Sequence, residues 1–205
     1  MGYMRYRPPP EWIDPKVNHQ YLGLTQLISY YHENRPNKNE YKGIELGSFM
    51  GESTQMFLAS GLWTSGFYAV DPWAGPDDEY KVKNEDLDET WKDVRDEFNY
   101  NTRMYGPGVP DYCRQKFHVI RGKSKSAVEL FEDEFFDFIY IDADHTYDSV
   151  CLDIQLYLPK LKKGGFIAGH DYDPQGWPEV VEAVHAMLGE PDKVFMDTSW
   201  IFEIK

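Results

Sequence analysis

Short apolar runs alternate with helical stretches through most of this 205-residue chain, and that alternation limits the folds open to it. Gly43–Gly47 (GIELG), Phe67–Asp71 (FYAVD), Phe117–Gly122 (FHVIRG), Phe136–Ala143 (FDFIYIDA) and Gly165–His170 (GFIAGH) read as strands. Ser53–Leu62 and Ser149–Leu158 read as helices, and Ser126-x-x-Glu129 reads as a capping box before a short one. Pro178 opens another helix, with Val180, Val181, Val184, Met187 and Leu188 on one stripe. Such a chain predicts a parallel sheet with helices on both faces and right-handed crossovers. Phe136–Ala143 is almost continuously apolar, as suits a central strand covered on both sides. Two final β-like runs, Lys193–Asp197 and Trp200–Lys205, are too closely joined for a parallel crossover and must form a hairpin. The expected fold class is therefore α/β: a Rossmann-like, mostly parallel seven-stranded sheet closed by a C-terminal antiparallel hairpin.

The length suits a single domain spanning residues 1–205. Residues 1–38 form its N-terminal arm and helix. The arm, 1–17, is Pro-rich and expected to be extended. The helix that follows carries Tyr21, Leu24, Leu27, Ile28 and Tyr31 at helical spacing and ends before Pro36. The segment 72–115 breaks the rhythm. It is charged and aromatic, with a helix expected near Leu87–Tyr100 and a GPGVP turn at 106–110. A connection this long is either a lid-like binding segment or a decorated crossover helix. Aromatics make up 16% of the chain, and Tyr80, Trp91, Tyr100 and Tyr105 are the candidates for lining an acceptor pocket.

The net charge of −14 argues against nucleic acid as the partner, because such binding leans on Lys and Arg neutralisation. It argues equally against an anionic membrane surface. Cys113 and Cys151 are too few and too far apart for a metal knuckle or a disulfide scaffold, which fits reduced thiols in a cytoplasmic protein. No run long and apolar enough to span a membrane is present, and the first residues lack a signal-peptide pattern. A small-molecule substrate is the expected partner, and the arm leaves a homo-oligomer open.

The chemistry starts at Ile44–Thr54 (IELGSFMGEST), a strand running through a glycine loop into a helix. A dinucleotide site shows G-x-G-x-x-G here. This chain has Glu45-x-Gly47-x-x-x-Gly51 instead, and an acidic residue at the strand end suits a cationic ligand better than a pyrophosphate. Asp71 ends the second strand, twenty residues beyond Gly51, where a carboxylate can accept ribose hydroxyls. Lys123 and Ser124 follow the third strand, where an adenine edge would lie. All these positions fall at the carboxyl ends of parallel strands, where open α/β sheets bind ligands.

From about residue 40 onward the chain resembles class I S-adenosylmethionine-dependent methyltransferases, on I-E-L-G-x-x-x-G, V-D-P, D-A-D-H-x-Y and L-x-x-G-G. Within that group it is similar to the family of macrolide-sugar O-methyltransferases and cephalosporin-hydroxylase-like proteins. The resemblance implies S-adenosyl-L-methionine bound by Glu45, Gly47, Ser53, Asp71, Ser124 and Asp144. With their neighbours Ser48, Gly51, Trp73, Lys123 and Asp142 these make up the expected cofactor site. It also implies O-methylation of a small hydroxylated substrate, a sugar or a phenol. The alternative is an accessory protein that keeps the fold and binds the cofactor without methyl transfer.

The fourth strand ends in Asp142-Ala143-Asp144-His145, the fifth in His170-Asp171. In metal-dependent relatives, carboxylates at these positions hold Mg²⁺. Matched from the glycine pair, the metal set falls on Asp142, His170 and Asp171. The imidazole is the departure: it favours Mn²⁺ or another transition ion over Mg²⁺. Without a metal, His145 or His170 is free to act as general base. The sequence leaves both open.

Overall fold

The structure, a computed structural model, describes residues 19–74, 87–105 and 116–205. The N-terminal arm expected to be extended, Tyr80, the turn expected at 106–110 and Cys113 lie outside the described residues.

Seven strands form one sheet in the order β3-β2-β1-β4-β5-β7-β6. They are β1 (Lys42–Leu46), β2 (Gly66–Asp71), β3 (Phe117–Arg121), β4 (Phe136–Ile141), β5 (Leu161–Gly169), β6 (Lys193–Val194) and β7 (Trp200–Glu203). The first five run parallel, and β7 lies antiparallel between β5 and β6. The expected C-terminal hairpin is therefore present.

Side chains alternate across each strand and divide the core by face. Phe138, Tyr140, Phe166 and Ala168 pack with α1 (His19–Asn34) and α2 (Glu52–Ala59), through Leu27, Tyr31, Phe57 and Leu58. Ile139, Ile141 and Ile167 face α5 (Tyr147–Tyr157) and α6 (Pro178–Leu188), through Val150, Ile154, Ala183 and Val184. All of β4 is buried, in keeping with its unbroken apolar run. The middle of the 72–115 segment is α3 (Leu87–Thr102), whose Val94 and Phe98 pack on Ala69 and Trp73.

Two local expectations differ from the structure. The helix after β3, α4, spans Ser124–Ala127 with Lys123 at its N-cap, so Ser126 lies inside it and forms no capping box. The strand expected from Gly165 starts at Leu161, before the glycine pair. Gly164 takes a left-handed φ of 71°, and the pairing with β4 shifts register between Phe136 and Phe138. The strand thus begins before the glycine pair and runs through it with a local irregularity in its pairing.

Toward one edge, β1 leads outward to β2 and β3. Toward the other, β4 leads outward to β5. The carboxyl ends of β1 and β4 flank the point where the strand order reverses, which is where a crevice opens in such sheets.

Candidate active site

The loop between β1 and α2 is held by close packing. Gly47 has φ 85°, and a Cβ there would overlap the Asp142 carbonyl at the end of β4. Gly51 has φ 78°, and a Cβ there would sit 2.8 Å from the Phe98 ring of α3. Both glycines therefore serve approaches of the chain to itself as well as a left-handed backbone.

Glu45 ends β1 with no exposed surface. Thr54 of α2 donates its hydroxyl to Glu45 Oε2. Glu45 Oε1 and the Ser48 hydroxyl are buried and make no hydrogen bond among the described residues. Burial pushes the Glu45 carboxyl up to about 7, against the pull of the Ser53, Thr54 and Ser48 hydroxyls, which lie close to it without all making well-aligned hydrogen bonds. A buried carboxylate oxygen without a well-formed hydrogen bond is costly, and a bound donor would satisfy it.

Asp71, at the end of β2, binds two loops at once. Its Oδ2 accepts the Phe49 N–H at 2.9 Å, and its Oδ1 accepts the Trp73 N–H at 2.7 Å. The Trp73 indole N–H closes the clasp on the Phe49 carbonyl at 2.9 Å. Phe49 and Trp73 both sit at positive φ, 41° and 44°, a conformation these hydrogen bonds hold in place. Burial raises the Asp71 pKa and the backbone donors pull it down. Trp73 is itself buried against Phe98, behind the loop.

Ser124 stands at the start of α4 beside the ends of these strands, where its carbonyl accepts the Tyr157 hydroxyl at 3.0 Å. Lys123 is exposed at the cap. Asp144 is exposed, and its Oδ1 accepts the Thr146 N–H at 2.8 Å, closing a turn just before α5.

The ends of β4 and β5 bring Asp142, His145, His170 and Asp171 together. His145 Nε2 lies 2.6 Å from Asp171 Oδ2 and 3.9 Å from Asp142 Oδ1. His170 Nδ1 lies 3.1 Å from Asp171 Oδ1. Both Asp171 oxygens thus face imidazoles, with Asp171 at a left-handed φ of 59°. Burial alone would lower His170, but its hydrogen bond to Asp171 and the Asp142 charge carry it up to about 9. His145 is raised, chiefly by its hydrogen bond to Asp171. Burial would raise Asp171, and the two histidines outweigh it, holding the carboxyl far below its ordinary range. Asp142 is pushed up to about 6 by burial.

Ligand atoms of Asp142, His170 and Asp171 all lie within 4.8 Å of one another, so the expected metal set is assembled. A cavity of about 10 Å³ adjoins it, lined by Asp142, His145, Val150, His170 and Val180 among others.

Of the expected acceptor-lining aromatics, Trp91 meets the Phe49 ring edge-to-face at 6.2 Å and so borders the loop. Tyr100 is exposed beneath the Arg103 guanidinium, and Tyr105 packs on the α1–α2 core. Sequence reasoning missed Thr54, whose spacing from Glu45 carries no signal until the helix folds back. It also missed Trp177, which stacks on His145 at 4.2 Å.

The profile of a family described as a methyltransferase domain matches residues 44–172. An uncharacterized protein of Acanthamoeba polyphaga mimivirus is 25% identical over 157 residues, covering 75% of this chain and 62% of its own. The chain thus spans less than two thirds of that relative's length. The solved O-methyltransferase NovP superposes with a TM-score of 0.61 at 16% identity, over 89% of this chain and 78% of its own. CalS11, a TDP-rhamnose 3'-O-methyltransferase of calicheamicin biosynthesis, gives 0.55 at 14% identity, over 95% and 86%. A cofactor-bound protein from MTB, Rv0187, gives 0.54 at 13% identity, over 97% and 99%. At these identities the solved structures speak for the fold.

Proposed function

Because the chain belongs to this methyltransferase-domain family, we propose that it transfers the methyl group of S-adenosylmethionine to a hydroxyl oxygen of a small acceptor, a sugar or a phenol. The observation that carries the reading is the fully buried Glu45 carboxyl, whose Oε1 has no hydrogen bond of good geometry among the described residues, with the Ser48 hydroxyl beside it. These are acceptors for an ammonium, in a loop that offers no G-x-G-x-x-G cradle for a pyrophosphate. When bound, the cofactor supplies an electrophilic methyl group on its sulfonium.

The chain's own residues supply the rest. Glu45 and Ser48 bind the amino-acid end. Asp71 retains lone pairs beyond its backbone donors and accepts ribose hydroxyls. Its clasp on Phe49 and Trp73 keeps the loop in shape before any ligand arrives. His145 stands at the acceptor side, oriented by Asp171, as general base for the acceptor hydroxyl. Alignment of that oxygen contributes much of the remaining acceleration.

The residues also fit a divalent cation: two carboxylates and one imidazole converge in Asp142, Asp171 and His170. That mixed set suits Mn²⁺ or a similar ion, which would hold the acceptor oxygen and lower its pKa. Comparison of NovP and CalS11, both O-methyltransferases by name, supports oxygen as the acceptor atom.

The test is incubation with S-[methyl-³H]adenosylmethionine and a panel of phenols and glycosides, with and without Mn²⁺, reading label in the extracted product. Label in a hydroxylated acceptor is the expected result. Cofactor binding with no transfer to any acceptor would point instead to an accessory protein of the same fold.

A further inference from the structure

Pairing between β5 and β7 ends at Gly169 and Trp200, one residue before His170. Gly169 leaves room there: a Cβ would meet the Trp200 ring at 2.5 Å. The buried indole lies across it, and its N–H donates to the His170 carbonyl at 3.1 Å. Two residues on, the Tyr172 N–H donates to the Thr198 carbonyl of the β6–β7 turn at 3.0 Å. That turn is itself closed. The Thr198 N–H donates to the Phe195 carbonyl at 3.0 Å, and the Asp197 carboxylate accepts the Ser199 N–H and hydroxyl, each at 3.0 Å. Asp171 stands between the two hairpin bonds at its left-handed φ of 59°. The His170 carbonyl belongs to the peptide plane before Asp171, and the Tyr172 N–H to the plane after it. Holding both planes fixes the two soft dihedrals of Asp171, and with them the direction of its side chain. A non-glycine residue stays left-handed where its surroundings over-determine it, as they do here.

We propose that Trp200 is a positioning residue for the site: with the Thr198 carbonyl, its indole N–H sets the backbone of Asp171 so that one carboxylate reaches both His145 and His170. What the aimed imidazoles then do for an acceptor rests on the methyltransferase reading. Asp171 Oδ2 lies 2.6 Å from His145 Nε2, and Oδ1 lies 3.1 Å from His170 Nδ1. The carboxylate is a planar group on a short side chain, so a turn of the backbone at Asp171 breaks one contact or both. Trp200 also lines the small cavity beside Asp142, His145 and His170, so the indole borders the groups it positions. The β6–β7 hairpin lies outside the stretch 44–172 that the family profile matches. The matched stretch thus holds the two imidazoles and their carboxylate, and the hairpin beyond it aims them.

The test reads the imidazole N–H protons of the full chain by NMR, with no cofactor added. Wild type should show two slowly exchanging signals downfield of the amides. One is assigned by its loss in His145→Gln, the other by its loss in His170→Gln. Trp200→Phe keeps a ring over Gly169 and loses the N–H. Both signals should then exchange with water about tenfold faster or more. A role in packing alone would lower the urea midpoint and leave both signals of the folded chain unchanged, and that result overturns the proposal. A second measurement, on wild type, does not depend on the variant folding. The Trp200 indole proton, assigned through its proximity to Gly169 and Phe202, and the Tyr172 amide proton should each exchange about 10²-fold or more slowly than in the unfolded chain. Free exchange of either with water overturns the proposal as well. Failure of the methyltransferase reading shows separately, as absent S-adenosylhomocysteine binding by calorimetry, and would leave the two imidazole signals intact.

Discussion

His145 Nε2 lies 2.6 Å from Asp171 Oδ2, while the other oxygen of the same carboxylate lies 3.1 Å from His170 Nδ1. One aspartate thus orients two imidazoles contributed by the ends of neighbouring strands. Its position at a left-handed φ of 59° aims the carboxylate between them.

Replacing Asp171 with Asn should uncouple this pair. The His170 pKa should fall from about 9 toward its ordinary value of about 6.5. Methyl transfer should drop by about 10²-fold or more, the usual scale for an ill-positioned base, while cofactor affinity stays within about threefold. Histidine titration by NMR and single-turnover rates check both halves.

Stability should fall as pH rises, in two separable windows. Glu45 titrates near 7 in the fold and near 4.5 unfolded, so the folded state holds the extra proton between those values. Stability is therefore greatest at the acid end and lost as pH climbs from 4.5 to 7, by up to about 3 kcal/mol. His170, raised to about 9, contributes stability that is complete below about 6.5 and lost as pH rises through 9. Glu45→Gln should shrink the first window, leaving the part that Asp142 and Asp153, both pushed up to about 6 by burial, contribute to it, and Asp171→Asn should shrink the second. Urea denaturation across pH 5–9.5 reads both.

Much of this was legible in residues and some was not. The short apolar runs and the breaks after them placed all seven strands, because burial on one or both faces writes itself into the sequence. Gly47 and Gly51 marked the loop, but their reason was hidden: the bodies they approach, Asp142 and Phe98, lie far along the chain. Asp71 stood out by its spacing, whereas its clasp on Phe49 and Trp73 depends on a backbone turn that no residue type announces. Asp142, His170 and Asp171 are grouped as a metal set from the sequence, but only the pairing of β4 with β5 shows His145 sharing the Asp171 carboxylate with His170. Trp177 gave no signal, since an aromatic before a helix reads equally as packing.

Glycine 47 should tolerate no side chain. In Gly47→Ala a Cβ at φ 85° would collide with the Asp142 carbonyl, which is backbone and cannot step aside. We expect at least about 2–3 kcal/mol of destabilisation by thermal or urea unfolding, combining left-handed strain with displaced packing.

Divalent-ion binding should compete with protons. A cation on Asp142, His170 and Asp171 must take carboxylate oxygens from two imidazoles and find His170 neutral. Mn²⁺ affinity should therefore rise by about tenfold or more from pH 6.5 to 8.5, and Asp142→Asn should weaken it at both. Mn²⁺ titration followed by electron paramagnetic resonance checks the trend.

The most direct measurement is calorimetric titration of S-adenosylmethionine into the wild-type chain and into Asp71→Ala and Glu45→Gln. The account predicts one site per chain, with affinity reduced about tenfold or more by either substitution, since each leaves a ligand group without its charged partner. Absence of binding to the wild-type chain, or equal affinity in all three proteins, would contradict it.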